Sequence, residues 1–158
     1  MKTKQLKLMG FLIYLFMINI TFSQAGESLV LVANPGVKES SLSKQDLRRI
    51  YLGEKQTWND GSKLIAVNLP ANNELRQKFQ KLAVGMTSAE LQKFWSDEQI
   101  KGNIVKPPVN QSSPKAVKLF VSKIPGAVGY IPASMVDNTV KELKIDGKTH
   151  KDPGYLLK

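Results

Sequence analysis

Leu29-Val30-Leu31-Val32-Ala33-Asn34-Pro35-Gly36 is the stretch that decides the fold class. An unbroken apolar run, rich in β-branched residues and stopped by Asn-Pro-Gly, reads as a buried strand entering a loop. A helix is expected next, because Ser43 stands as an N-cap with Asp46 behind it, Leu47, Ile50 and Tyr51 recur at helical spacing, and Gly53 closes the segment. Leu64–Val67 is a second short buried strand, reached through the polar turn Trp58-Asn59-Asp60-Gly61. Asn72 or Asn73 can cap a second helix with Leu75, Phe79 and Leu82 as its apolar stripe. Thr87 and Glu90 make a capping box for a third helix, anchored by Leu91, Phe94 and Trp95 and expected to pack on the second.

The stretch from Gly102 to Asn110 holds Pro107-Pro108 and almost no periodicity, so it reads as a loop. Ser113 at the cap and Pro114 at the first helical position then open a helix with Val117, Phe120 and Val121 on one side. Pro125-Gly126 turns the chain into a third buried strand, Ala127–Ile131, ended by Pro132. Val140 to Ile145, before Asp146-Gly147, reads as an edge strand and a turn. Strands alternating with helices give an α/β class, a small mixed sheet covered by helices.

Lys2, Lys4 and Lys7 precede the apolar run Met9–Ile18, and Ser23-Gln24-Ala25 supplies small residues for cleavage. This is the layout of a secretory signal peptide over residues 1–25, with residues 26–158 as one exported domain and the periplasm as its home. An uncleaved N-terminal anchor is the alternative, although Asn19 and Thr21 interrupt the run before it reaches spanning length. The chain has no cysteine, which excludes disulfides, a lipoprotein anchor and thiolate chemistry. Of the formal charge of +10, three units belong to the leading lysines, so residues 26–158 carry +7 and favour acidic partners. The lysines are scattered singly among acids, which speaks for a solvated basic surface and against nucleic acid.

Four segments, Leu31-Val32-Ala33-Asn34-Pro35, then Leu42-Ser43 through Leu52-Gly53-Glu54-Lys55 to Trp58, then Leu75-Arg76 with Phe79, and Ile124-Pro125-Gly126-Ala127-Val128-Gly129-Tyr130-Ile131, together resemble the phosphate-binding proteins of ABC importers. The resemblance implies one lobe of a type II periplasmic binding protein and, as function, recognition of a small oxyanion, phosphate first, without catalysis or cofactor. An ABC permease is then the implied partner, and a second copy of the chain could close the site. In that family a Ser-Gly-Thr followed by arginine begins the helix that starts here near Asn72. Arg76 keeps the arginine, whereas Asn73, Glu74 and Leu75 replace Ser-Gly-Thr. That exchange removes two hydroxyl donors and adds a carboxylate, so phosphate binding should be weakened.

Asn72, Asn73 and Arg76 are therefore the candidate ligand-binding residues, on a helix start whose free amides favour anions. Ser112 and Ser113 form a second helix start that could face the same cleft. The plainer readings are ordinary N-capping at both sites and a surface contact of Arg76 with Glu74 or Gln80. Trp58, Trp95, Tyr51 and Tyr130 read as core. His150 is the only histidine, sits in the polar tail and is expected to face solvent, so neither a histidine metal cluster nor a Ser/His triad can be assembled. No nucleophile–base pair is visible, which argues against a hydrolase. The rival function is an envelope interaction module, an adaptor or sensor partner that kept the lobe and lost the ligand.

Overall fold

The computed structural model describes residues 26–103 and 105–158. The signal-peptide reading of residues 1–25 lies outside them. Strand β1 (Leu29–Ala33) is buried at every position, as an apolar run must be when both faces of the sheet are covered. It pairs antiparallel with β5 (Ala127–Pro132) in the register Leu31↔Tyr130, and at its other edge with β6 (Lys141–Glu142). Strand β3 (Ile65–Asn68) runs parallel to β5 and to β4 (Val109–Asn110), giving the order β4-β3-β5-β1-β6. A separate parallel pair joins β2 (Ser41–Leu42) to β7 (Lys144–Ile145).

Local sequence chemistry accounts for the helices. In α1 (Lys44–Leu52) the Ser43 side chain accepts from the Asp46 amide, and Gly53 ends the helix in the left-handed region at φ 83°. A side chain at Gly53 is also excluded by space, since a Cβ there would lie 2.6 Å from the Lys106 carbonyl oxygen. Helix α2 (Glu74–Phe79) runs into a π-helical turn (Gln80–Val84) and stops at Gly85. Thr87 and Glu90 form the reciprocal capping box of α3 (Ser88–Ile100), and Ser113 caps α4 (Pro114–Lys123) with proline in its first turn.

From β3 through α2 and α3 to β4 the chain steps one way across the sheet, and from β4 through α4 to β5 it steps back past β3. Right-handed crossovers then put α4 on the face opposite α2 and α3. Neighbouring residues of β5 record the two layers. Gly129 lies under α4, where a Cβ would come within 2.8 Å of Val117, whereas Tyr130 points the other way and stacks on Phe79 of α2 at 3.9 Å between ring centres. Tyr51 of α1 completes that aromatic group 4.5 Å from Phe79 and donates to the Val67 carbonyl.

Five expectations need correction. Strand β3 is Ile65–Asn68, one residue later than the apolar run suggested, because Asn68 is buried as the last strand residue. The loop from Gly102 to Asn110 ends in β4, where Val109 and Asn110 pair with Val67 and Asn68. The C-terminal edge strand is broken into β6 and β7 around Leu143, whose amide bonds to the Leu31 carbonyl. The π-helical continuation of α2 packs on α1, and α3 reaches α1 through Trp95, whose indole N–H donates to the Leu52 carbonyl at 3.0 Å, so the second and third helices are not chiefly each other's partners. His150 is half-buried instead of solvent-facing, with its amide and Nδ1 both 2.9 Å from Glu142 Oε1.

Candidate functional site

Because β3 and β4 are parallel and end together at Asn68 and Asn110, the turns leading to α2 and α4 leave the same edge of the sheet. The carboxyl edge of a parallel pair, where the chain departs to opposite faces, is where α/β sheets form ligand crevices. Asn72, Asn73, Ser112 and Ser113 all lie on these turns. The Gln111 amide ties the second turn to the Asn68 carbonyl at 2.8 Å.

Arg76 joins the two strand ends. Its Nη1 donates to the Leu69 carbonyl at 2.7 Å, just past β3, and to Asn110 Oδ1 at 3.3 Å on β4. The side chain is only 4% exposed, so the expected surface contact with Glu74 or Gln80 does not form. Among the described residues no carboxylate is ion-paired with it. Burial holds its pKa below the ordinary guanidinium value, with Tyr130 acting in the opposite direction.

Around this cation lies a buried polar group that the sequence reading missed. Asn68 and Gln80 are almost fully enclosed. The Tyr130 hydroxyl donates to Asn68 Oδ1 at 2.5 Å, the Leu69 amide donates to the same oxygen at 3.0 Å, and Ser88 Oγ donates to Gln80 Oε1 at 2.7 Å. Burial pushes the Tyr130 phenol far above its usual range, partly offset by the Leu69 backbone and the Arg76 charge. Among the described residues Asn68 Nδ2, Arg76 Nε and Gln80 Nε2 find no acceptor. Leaving a buried donor unmatched costs about 1–3 kcal/mol, so three in one cluster mark a place where packing alone is not the organising principle. A sequence signal existed for one of them: Gln80 lies four residues after Arg76 and shares its helix face.

The other candidates are placed as follows. Asn73 caps α2 with its own carboxamide, Oδ1 accepting from the Leu75 and Arg76 amides at 2.9 and 3.4 Å. Those amides are thus engaged within the helix start. Asn72 is exposed in the preceding turn, Ser113 accepts from the Ala116 amide at 3.2 Å as a plain N-cap, and Ser112 is exposed. Trp58, Trp95, Tyr51 and Tyr130 are core, as read. A separate cleft of roughly 470 Å³, lined by Ile50, Leu64, Val105 and Phe120 with Lys55, Lys63 and Lys106, includes none of the candidate residues. No group of histidine, cysteine or carboxylate side chains suited to a metal occurs among the described residues.

No family profile matches the sequence. The chain is similar to the phosphate-binding protein PstS of Bacillus subtilis, at 27% identity over 75% of this chain and 36% of that one. Its fold resembles an ABC-type phosphate transport receptor from Vibrio cholerae (TM-score 0.64, 21% identity, 79% of this chain and 48% of that one). PstS from Borrelia burgdorferi superposes equally well (TM-score 0.64, 17% identity, 83% and 54%). The chain spans about half the length of these structures, and its mixed α/β sheet matches one lobe of them. The resemblance drawn from the four segments therefore holds at the level of the fold, and its relatives are binding proteins.

Proposed function

We propose that this protein recognises a small oxyanion, with phosphate the leading candidate, at the joint carboxyl ends of β3 and β4, and that it serves phosphate uptake with an ABC permease. The observation that carries this reading is the buried Arg76 guanidinium, without a carboxylate, whose Nε lacks an acceptor as do the carboxamide nitrogens of Asn68 and Gln80. Taking such a charge out of water costs several kcal/mol, and an arriving anion supplies both the countercharge and the missing acceptors. The similarity to PstS supports phosphate over other anions.

Access requires the turn over residues 69–73 to lift, because the cluster is enclosed while Asn72 at the tip of that turn is exposed. The guanidinium and carboxamides are then the primary donors; the α2 amides take part only if the anion displaces Asn73 Oδ1. Affinity is modest, since one lobe leaves part of the ligand in water unless a permease surface or a second copy covers it. The ligand is held and released unchanged. The periplasm is the expected compartment, on the signal-peptide pattern of residues 1–25.

Titration calorimetry with phosphate, sulfate and chloride at low salt tests the proposal. A hundredfold excess of a binding anion over its Kd should stabilise the fold by about 2.7 kcal/mol, a rise in Tm on the order of 8 °C. Absence of heat and of any Tm shift with every oxyanion at millimolar concentration rejects it.

A further inference from the structure

We propose that the cleft beside the open edge of β3 is a second binding site, which takes a carboxylate borne on a short aliphatic chain. The cleft follows from the length of β4. Val109 and Asn110 pair only with Val67 and Asn68, so Ile65 and Ala66 have β5 on one side and, among the described residues, no strand on the other. The space left there, roughly 470 Å³, falls within the usual range for small-molecule pockets, and no residue of the Arg76 cluster lines it. Its walls are pinned. The Gly53 carbonyl accepts from the Lys106 amide at 3.1 Å and from Gln56 Nε2 at 3.2 Å, which ties the loop before β4 to the turn after α1. The Leu64 amide donates to the Gln56 carbonyl at 2.9 Å and fixes that turn to the entry of β3. Both sides of the cleft are therefore preformed, and a ligand has little ordering to impose.

The lining divides by chemistry. Ile50, Leu64, Ala66 and Phe120 supply apolar surface, and Val109, 44% exposed, leaves more of it uncovered beside them. Lys55, Lys63 and Lys106 stand around that surface. Lys55 is compensated by Asp46 at 3.2 Å. Lys63 and Lys106 form no ion pair among the described residues, so two positive charges there have no counterion from the protein. An apolar surface beneath an uncompensated basic rim is complementary to an aliphatic chain that ends in an anion, and a carboxylate is ionised near neutrality.

Other occupants fit this lining less well. Inorganic phosphate would meet only the rim, because the buried unmatched donors of the described residues belong to Asn68, Arg76 and Gln80, away from this cleft. Residues 1–25 would bring Lys2, Lys4 and Lys7 to a rim of the same sign. A folded partner needs a face of about 800 Å² on each side. Apolar lining here is confined to the start of β3, the loop before β4 and single residues of α1, β4 and α4.

Titration calorimetry of the full protein with sodium octanoate at low salt, read beside amide shifts by NMR, tests the assignment. Octanoate should bind with shifts at Leu64, Ala66 and Val109, octanol should bind about fivefold more weakly, and acetate and octylammonium should not bind. Affinity should rise about threefold for each methylene added between hexanoate and octanoate. Lys63 and Lys106 are exposed, so replacing both by glutamine spares the fold; the double variant should lose about fivefold in octanoate affinity and keep its affinity for octanol. Octanol or octylammonium binding as tightly as octanoate overturns the proposal, as do shifts confined to other parts of the sheet. An unchanged octanoate affinity in the double variant, or no binding of octanoate at millimolar concentration, also overturns it. Each of these results leaves the anion reading at Arg76 where it stands.

Discussion

Arg76 sets the balance between stability and binding at the scale of one residue. A buried cation with one strongly bonded nitrogen and one unmatched nitrogen is a poor contributor to folding, and an apolar chain of similar length would pack the same space without desolvating a charge. Arg76→Met is therefore expected to change unfolding free energy in urea by no more than about 1 kcal/mol, in either direction, while abolishing the anion-induced Tm shift. A loss of several kcal/mol with the Tm shift retained would make Arg76 a structural tie between β3 and β4 and nothing more. The arginine was legible as a candidate by its place near a helix start. Its burial was not, because Leu75 is the apolar neighbour and the helix is rotated so that Arg76, Phe79 and Gln80 face inward while Leu75 is half-buried.

Single elements here are governed by short-range chemistry that requires no partner. Thr87 and Glu90 saturate the first turn of α3 reciprocally, with the Thr87 amide 2.8 Å from Glu90 Oε2 and the Glu90 amide 3.2 Å from Thr87 Oγ1. Hydrogen bonds from the Thr87 backbone and side chain hold the Glu90 carboxyl below its usual range. Thr87→Ala should cost about 1 kcal/mol in denaturant unfolding and return the Glu90 pKa, followed by NMR titration, toward the ordinary glutamate value. An unaltered Glu90 titration would show that the Thr87 hydroxyl contributes nothing to that carboxylate beyond the backbone amide. By contrast, β4, β6 and β7 have two residues each and no periodicity of their own. They are strands only because β3, β1 and β2 offer them hydrogen-bonding edges.

At the scale of the whole molecule, exposed carboxylates tie loops to one another and set the acid limit of the fold. Hydrogen bonds from Ser62 and Lys38 bring Asp60 from 3.8 to about 2, and those from Lys118 and Thr139 bring Asp137 likewise from 3.8 to about 2. A carboxyl whose folded pKa is depressed stabilises the fold above its unfolded pKa and loses that contribution as pH falls through the folded value. Tm should accordingly be level above about pH 5 and fall between about pH 4 and about pH 2, with Asp137→Asn flattening part of the descent. A Tm independent of pH across that window in the unaltered protein would contradict the assignment. Strand β1, the caps of α1, α3 and α4 and the alternation that makes an α/β lobe were all readable along the chain, since apolar runs and capping residues act within a few positions of themselves. Only the tertiary structure brought Asn68, Arg76, Gln80 and Tyr130 into one buried cluster with the exposed Asn110 at its edge, because parallel pairing of β3 with β4 and β5 joins residues up to 62 positions apart in hydrogen bonds that no local pattern encodes.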